Sequence, residues 1–201
     1  MFPQTPGQCQ YLLALQSNKS VVVATGPAGT GKTLFACRQS MKSIGGFQRK
    51  KVIITRPIVA ADEDLGYLPG DVDSKMEPWA RPMLDIFERE LSMSQIERYV
   101  EIVPLGYMRG RTFKDCYVIA DEMQNSTPNQ MLCLLSRLGE NSKLVCLGDL
   151  AQSDLGPMNG LADFVSRVDH LDLEHVEVVH MEEEDIIRHP AVSEIIKVYN
   201  I

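Results

Sequence analysis

Residues 26–33 read GPAGTGKT and match the pattern GxxxxGK followed by Ser or Thr. The glycines allow successive backbone N–H groups to face a phosphate, and a helix beginning there adds its positive end. Lys32 would place a point charge at the β- and γ-phosphates, and Thr33 would offer a hydroxyl to Mg²⁺. A turn that only joins a strand to a helix has no use for this lysine. We therefore predict a nucleotide-binding loop that comprises Gly26, Pro27, Ala28, Gly29, Thr30, Gly31, Lys32 and Thr33.

Two adjacent carboxylates, Asp121 and Glu122, follow the apolar run at residues 117–120. Adjacent residues of an extended chain point to different sides, so one carboxylate can serve a metal and the other a water molecule. We assign Mg²⁺ or its bound water to Asp121, and the base that orients and deprotonates the attacking water to Glu122. On its own, an apolar strand that ends in two carboxylates is a weak signal, because strands without a catalytic role end in this way equally often. Together with the phosphate loop it predicts hydrolysis of a nucleoside triphosphate.

Short apolar runs rich in β-branched residues alternate with segments of helical periodicity. The predicted strands are residues 21–24, 52–55, 100–103, 117–120, 144–147 and 176–179. The predicted helices are residues 5–17, 32–43, 77–91, 127–138, 159–168 and 191–199. Such alternation predicts an α/β fold with a mainly parallel sheet, right-handed crossovers and helices on both faces. Residues 56–78 show little periodicity, and a loop of this length is usually functional or disordered.

Length and composition restrict the class of protein. A chain of 201 residues with 44% apolar residues is consistent with one globular domain over residues 1–201. It lacks both a signal-peptide pattern and an apolar run of roughly 18 residues, so we expect a cytoplasmic protein without a membrane span. Its five cysteines and four histidines lack metal-ligand spacing, which indicates reduced thiols. The net charge of −7 argues against a nucleic-acid coat protein, although a local patch or a ring can still concentrate positive charge.

A further apolar run, residues 144–147, ends in Gly148 and Asp149, with Gln152 close behind. The spacing GDxxQ resembles the third motif of superfamily-one helicases, in which the glutamine bonds the γ-phosphate and reports its loss. The resemblance implies that Gln152 is a γ-phosphate sensor, and an ordinary strand-to-turn sequence is the alternative. Asp149 would either position neighbouring groups or cap the turn.

These motifs, taken together, resemble the PhoH-like ATPases. The segments that carry the resemblance are residues 25–33, TRP at 55–57, LGYLPGD at 65–71, MRGRT at 108–112, DEMQN at 121–125 and DIIRH at 185–189. It extends over residues 6–199 and implies a three-layer RecA-like core, similar to one motor domain of a superfamily-one helicase. It further implies ATP and Mg²⁺ as cofactors and a role with RNA or DNA. Some members carry a PIN-type nuclease domain and form hexameric assemblies. This chain shows no such domain, and its DEMQN replaces the family's DEAQN.

The resemblance also implies residues that contact nucleic acid. In helicase-like domains, the loops after the second and third strands face the single strand. Arg56, Arg109 and Arg111 are the candidates for its phosphates. The aromatic candidates for stacking on bases are Tyr67, Trp79 and Tyr107. The alternative is that these arginines pair with the abundant carboxylates and that Trp79 belongs to the core.

Two further residues are implied by the same resemblance, and a third candidate follows from the missing second motor domain. Gln8 corresponds to a glutamine that bonds the edge of adenine in related helicases and would select ATP over GTP. A single motor domain lacks the second half that completes a helicase site, so positive charge must come from elsewhere. Arg188 resembles the arginine of the NYR-type helicase motif and is the candidate in cis. Arg137, near a helix end, is the candidate finger for a neighbouring copy.

We therefore expect an ATP-hydrolysing motor that acts on RNA or single-stranded DNA as a homo-oligomeric, hexameric ring. One alternative is a nucleotide-regulated assembly or stress-response module with slow turnover and no helicase action. A second is a small-molecule kinase, against which Glu122 argues. We also predict that the strand at 144–147 lies between the strands at 21–24 and 117–120.

Overall fold

A computed structural model of the chain describes residues 2–44, 51–57 and 72–199. The LGYLPGD segment and Tyr67 lie outside the described residues. The strands are β1 (Val21–Thr25), β2 (Lys51–Thr55), β3 (Val100–Ile102), β4 (Cys116–Ala120), β5 (Lys143–Gly148) and β6 (Val176–His180). The helices are α1 (Pro6–Gln16), α2 (Lys32–Met41), α3 (Val72–Phe87), α4 (Met93–Tyr99), α5 (Pro128–Leu135), α6 (Gly160–Val168) and α7 (Pro190–Tyr199). Short 3-10 turns are formed by Leu105–Tyr107, Met123–Asn125 and Glu183–Asp185.

All the described strands belong to one parallel sheet in the order β3-β2-β4-β5-β1-β6. The predicted place of β5 between β1 and β4 is confirmed. Every residue of β1, β4 and β5 is buried, because helices cover both faces of the sheet. Successive residues of β1 enter different cores: Val22 packs into one cluster and Val23 into the other. The predicted three-layer, RecA-like α/β fold is therefore confirmed.

The helices differ most from prediction in three places. Helix α3 begins at Val72 within the stretch of weak periodicity, and it contains Pro78 and Pro82. Helix α5 ends at Leu135 rather than at residue 138, because residues 137–139 leave the helix and bond to the backbone of Phe113. Helix α4 was not predicted at all. Its sequence signal is a capping box at residues 92–95, in which Ser and Gln side chains satisfy each other's backbone N–H groups.

Buried polar side chains fix α1 against the sheet. Lys143 donates from Nζ to the carbonyl oxygens of Ala14 and Ser17, and so places a positive charge at the carboxyl end of α1. At the other end of α1, the Asp185 carboxylate accepts hydrogen bonds from the hydroxyl of Thr5 and the backbone N–H of Gly7. Helix α1 is thereby held beside the turn that follows β6.

The structure also describes the state of the cysteines and the length of the helices. All five cysteines are free thiols, and Cys37, Cys116 and Cys146 are buried. In the part of the chain that the structure describes, no helix is both long enough and apolar enough to cross a bilayer.

Candidate nucleotide-binding site

The phosphate loop connects β1 to α2 at the carboxyl edge of the sheet. Gly26, Gly29 and Gly31 have φ values of +138°, +91° and +89°, a backbone region that side chains disfavour. A Cβ atom on Gly26 would also overlap the carbonyl oxygen of Met181. Two glycines are thus required by backbone conformation alone, and Gly26 is required by conformation and space together.

Lys32 and Thr33 open α2, where the positive end of the helix faces the loop. The Lys32 Nζ donates to the carbonyl oxygens of Gly26 and Pro27 at 2.6 and 2.8 Å. Burial lowers the pKa of Lys32, and the carboxylate of Asp149 is the largest influence in the opposite direction. The ammonium therefore lies over the loop, where a phosphate would compete with the two carbonyl oxygens for it.

The two predicted magnesium ligands meet at the ends of α2 and β4. Thr33 Oγ1 donates to Asp121 Oδ2 at 3.0 Å. Burial raises the pKa of Asp121, and the charge of Glu122 raises it further. A cation at this point would offset both effects.

The donor set fits Mg²⁺, which prefers hard oxygen ligands and keeps several water molecules. The described residues contain no cluster of three His, Cys, Asp or Glu side chains that could hold a metal alone. A hydroxyl and one carboxylate suit an ion that takes its remaining ligands from phosphate and water.

Glu122 is the non-glycine residue of the site with a strained backbone, at φ +55°. Its Oε2 accepts a hydrogen bond of 2.6 Å from Nε2 of Gln124. Gln124 is 2% exposed, and its Oε1 accepts from the backbone N–H of Asp149 at 3.2 Å. Gln124 therefore links the predicted base to the turn after β5.

Sequence reasoning missed Gln124 as a functional residue. The available signal was its place in DEMQN at residues 121–125. The link also depends on Gly148, because a Cβ atom there would lie 2.6 Å from the Oε1 of Gln124.

The turn after β5 carries the predicted sensor. Asp149 Oδ1 accepts from the backbone N–H of Ala151 at 3.0 Å, so the turn-capping role proposed for Asp149 is present. Gln152 lies at the rim of the same cavity as Lys32 and Glu122. This placement is consistent with a group that contacts a γ-phosphate.

A cavity of about 480 Å³ brings the predicted groups together. The polar, charged and loop residues in its lining are Gln8, Ala28, Gly29, Gly31, Lys32, Thr33, Arg56, Asp121, Glu122, Asp149 and Gln152. The larger apolar residues in its lining include Phe35, Trp79, Pro82, Met83, Ile86 and Ile187. A cavity that combines apolar side chains with a few polar groups is typical of a ligand site.

Gln8 lines this cavity, and its amide is bonded to the protein backbone. Nε2 donates to the carbonyl oxygens of Thr30 and Asp185 at 3.2 and 3.3 Å, and Oε1 accepts from the N–H of Gln4. Gln8 therefore helps to hold the phosphate loop in place. Its predicted contact with the edge of adenine stays a prediction.

The arginines predicted to act on the γ-phosphate lie outside the cavity lining. Arg188 Nη2 donates to the carbonyl oxygen of Ala28 at 2.9 Å, which places it against the loop. Arg137 lies at the amino edge of the sheet, where Nη1 donates to the carbonyl oxygen of Arg111 at 3.3 Å. Arg137 is therefore on the far side of the fold from its own phosphate loop, and only another copy could use it as a finger.

The candidates for nucleic-acid contact are separated in the fold. Arg56 lines the cavity at the carboxyl edge. Arg111 lies near the amino end of β4, pairs with Glu101 at 2.8 Å, and has its guanidinium 5.0 Å from the ring centre of Phe113. For Arg111, the predicted alternative of pairing with a carboxylate is present. Arg109 is exposed, as is Tyr107.

Comparison with known proteins indicates the same class of protein as the geometry of the site does. A family model described as PhoH-like protein matches residues 1–200. A PhoH-like protein of Bacillus subtilis is 42% identical over 204 residues, which cover 98% of this chain and 63% of that protein. Protein PhoH of Escherichia coli K12 is 40% identical over 190 residues, which cover 90% of this chain and 53% of that protein. The chain thus spans between 53% and 63% of the length of these relatives.

A solved structure shares the fold. The large terminase from a thermophilic bacteriophage has a TM-score of 0.59 to this chain at 14% sequence identity. The match covers 98% of this chain and 50% of the terminase chain. With its phosphate loop and acidic strand end at the carboxyl edge of a parallel sheet, this protein is a P-loop nucleotide-binding domain, and the matches over nearly its whole length show that it belongs to the PhoH-like family.

Proposed function

We propose that this chain is a cytoplasmic ATPase that uses Mg²⁺ and couples hydrolysis to the binding or remodelling of single-stranded RNA or DNA. One observation carries the proposal: Lys32, Thr33, Asp121 and Glu122 converge on a single cavity at the carboxyl edge of the sheet. A loop that only bound phosphate would not need a second carboxylate beside the metal ligand. Glu122 supplies the group that hydrolysis requires.

The residues of the site divide the chemistry among them. Backbone N–H groups of the loop and the Lys32 ammonium bind the β- and γ-phosphates. Thr33 and Asp121 hold Mg²⁺, which neutralises charge on the phosphate oxygens when it is bound. Glu122 orients a water molecule and accepts its proton, while Gln124 restricts the carboxylate to one orientation.

The link through Gln124 supports coupling between hydrolysis and a moving element. Loss of the γ-phosphate would remove a contact of Gln152, which belongs to the turn after β5. The same turn is bonded to Gln124 through the N–H of Asp149, so a change in the turn reaches Glu122 through Gln124. This is the arrangement expected of a motor domain whose turnover responds to a bound polymer.

A homo-oligomeric ring would complete the site. Arg137 is at the opposite edge of the sheet, so it can reach a phosphate loop only across an interface between copies. A finger of this kind is worth roughly 10³–10⁵ in turnover, so an isolated copy should hydrolyse slowly. A ring of six copies would also gather the exposed Arg109 side chains around one channel, which favours binding of an acidic polymer despite the net charge of −7.

The test is ATP turnover, measured by phosphate release, with and without single-stranded RNA and DNA at several protein concentrations. Lys32→Ala should abolish nucleotide binding. Glu122→Gln should retain binding and slow hydrolysis by roughly 10²–10⁴. Normal turnover by Glu122→Gln would contradict the assignment of the base, and transfer of phosphate to a small molecule would instead indicate a kinase.

Two outcomes separate the proposal from its alternative. Stimulation by nucleic acid, with specific activity rising as copies assemble, supports the motor. Slow turnover that neither RNA nor DNA changes would favour a nucleotide-regulated assembly or stress-response module. Mixing Arg137→Ala with Lys32→Ala should restore activity if the finger acts between copies, because some interfaces would pair an intact loop with an intact arginine.

A further inference from the structure

Arg56 occupies an unexpected place for a residue that contacts nucleic acid. It follows β2 directly, and the last residue of β2, Thr55, accepts a hydrogen bond of 2.9 Å from the backbone N–H of Asp121. Arg56 is therefore a near neighbour of the acidic strand end. Its side chain lines the same cavity as Lys32 and Glu122.

The guanidinium of Arg56 is held on an aromatic face. Its central carbon lies 5.8 Å from the ring centre of Trp79, which also lines the cavity. A contact of this kind orients the planar guanidinium without using its N–H donors. The donors therefore remain free to serve an anion.

One of these donors is buried and unused. Within the residues that the structure describes, Nε of Arg56 has no hydrogen-bond partner, although it is shielded from solvent. Buried donors are nearly always satisfied, so this one indicates an acceptor that the described residues do not supply, such as a ligand or a water molecule. An oxygen of a phosphate is the acceptor that a guanidinium binds best.

The other arginines considered for this task lie elsewhere. Arg188 is bonded to the phosphate loop at the carbonyl oxygen of Ala28 and is not part of the cavity lining, and Arg137 is at the amino edge of the sheet. In the described part of the chain, Arg56 is the arginine that lines the cavity. It lies near Asp121, and its positive charge acts to lower the pKa of that carboxyl group, although burial and the charge of Glu122 raise this pKa overall.

We propose that Arg56 is the arginine that contacts the γ-phosphate of ATP within its own subunit, and that Trp79 holds its guanidinium for this contact. The inference rests on the proposed function, and it reassigns Arg56 from nucleic-acid binding to the nucleotide. Lys32 would approach the phosphates from the loop, and Arg56 would approach from the side of β2.

Arg56 takes no part in the proton transfer of the chemical step. The oxygen of water forms a bond to the γ-phosphorus, the bond from that phosphorus to the β–γ bridging oxygen breaks, and the water proton passes to Glu122. ADP and inorganic phosphate result. Arg56 donates hydrogen bonds to the γ-phosphate oxygens, whose negative charge it neutralises as they move apart from ADP.

The experiment compares affinities for a nucleotide with and without a γ-phosphate, in the absence of nucleic acid. Trp79 is the single tryptophan of the chain, so its fluorescence reports directly on this cavity. Titration of wild type and Arg56→Ala with Mg²⁺ and either a non-hydrolysable ATP analogue or ADP gives both dissociation constants. Calorimetric titration gives the same dissociation constants without relying on Trp79 fluorescence, since replacement of Arg56 changes the surroundings of this ring.

Arg56→Ala should weaken binding of the ATP analogue by about 10- to 150-fold, the worth of one hydrogen bond between charged groups. Its affinity for ADP should stay within about twofold, since ADP lacks the contacted phosphate. Turnover without nucleic acid should fall at least as far. Arg56→Lys should recover part of the loss, because it keeps the charge without the planar fork.

Arg98→Ala is the matched control. Arg98 also lies over an aromatic ring, that of Tyr99, with its central carbon 5.4 Å from the ring centre, and it is exposed on α4 outside the cavity. Its loss should leave both affinities and turnover unchanged. Trp79→Phe, which keeps an aromatic face, should reduce turnover less than Arg56→Ala does.

Two results would overturn the assignment. An unchanged ratio of analogue to ADP affinity in Arg56→Ala would overturn it, and loss of binding in a separate titration with single-stranded RNA or DNA would then return Arg56 to the nucleic-acid surface. Normal turnover and normal affinities throughout would show that Arg56 serves neither ligand. Failure of the wild type to bind or hydrolyse ATP would overturn the proposed function as well, so the two failures are distinguishable.

Discussion

Replacement of Gln124 by leucine tests whether the turn after β5 holds the catalytic base. The wild-type side chain donates to Glu122 Oε2 at 2.6 Å and accepts from the N–H of Asp149 at 3.2 Å. Leucine is apolar and of similar size, so it keeps this buried position filled, although it branches one carbon closer to the backbone. It removes both hydrogen bonds at once.

The size of the effect follows from the type of bond that is lost. A hydrogen bond to a charged group contributes about 1.5–3 kcal/mol, and each 1.36 kcal/mol corresponds to a tenfold change in rate. Without it the Glu122 carboxylate samples other rotamers, so we expect turnover to fall by about 10- to 150-fold. ATP affinity should change by less than about threefold, because the hydrogen bonds of Gln124 go to Glu122, Asp149 and Ser153 and not to the phosphate loop or the predicted magnesium ligands. The N–H of Asp149 loses its acceptor, which should lower the free energy of unfolding by about 1–3 kcal/mol.

The assay combines steady-state phosphate release, nucleotide titration by Trp79 fluorescence, and denaturant unfolding. Gln130→Leu is the matched control, since Gln130 makes a comparable bond to the backbone of Thr127 at the start of α5, away from the cavity. It should lose some stability and retain full turnover. Wild-type turnover by a folded Gln124→Leu that binds ATP normally would refute the idea that Gln124 positions the base.

Three further outcomes are expected. Burial raises the pKa of Asp121, so the folded chain retains this proton to a higher pH than the unfolded chain, and the free energy of unfolding falls as pH rises above the ordinary value of 3.8. Asp121→Asn should therefore raise the melting temperature in metal-free buffer at about pH 8, lose this advantage near pH 4, and abolish magnesium-dependent turnover. In a denaturant titration, Gly26→Ala should lower the free energy of unfolding by at least about 1–3 kcal/mol, and it should also abolish nucleotide binding. Gly106→Ala is the control: its added Cβ atom would meet no atom within 4 Å, so stability and nucleotide binding should both be unchanged. Gln8→Ala should weaken binding of ATP and GTP by similar factors because Gln8 holds the loop, and weakening for ATP alone would instead support contact with adenine.

The phosphate loop and the acidic strand end could be predicted because both are local. Three glycines, Lys32 and Thr33 act through backbone conformation and through the helix that starts beside them, and all of this lies within ten residues of sequence. The pairing of Asp121 with Thr33 could be anticipated too, since the carboxyl ends of parallel strands share one edge. The strand order was accessible from the resemblance to helicase domains, and the sheet confirms it.

Element boundaries were less predictable where tertiary contacts compete with local preference. Helix α5 stops early because residues 137–139 gain backbone partners at Phe113, a contact across more than twenty residues of sequence. The helical spacing of apolar residues continues through Leu138, so the sequence pattern does not indicate this earlier end. Helix α4, in contrast, had a readable capping box at Ser92 and Gln95.

The sequence alone thus determined the family, the parallel α/β fold and the residues that we propose to bind phosphate and magnesium. Which arginine lies where was decided by the tertiary structure: Arg56 reaches the nucleotide cavity on the face of Trp79, while Arg111 lies near the amino end of β4 and pairs with Glu101. The hydrogen bond from Gln124 to Glu122 was likewise decided by the tertiary structure. The physical reason is that spacing along the chain sets local backbone geometry, whereas contacts between side chains depend on how crossovers bring distant strand ends and loops together.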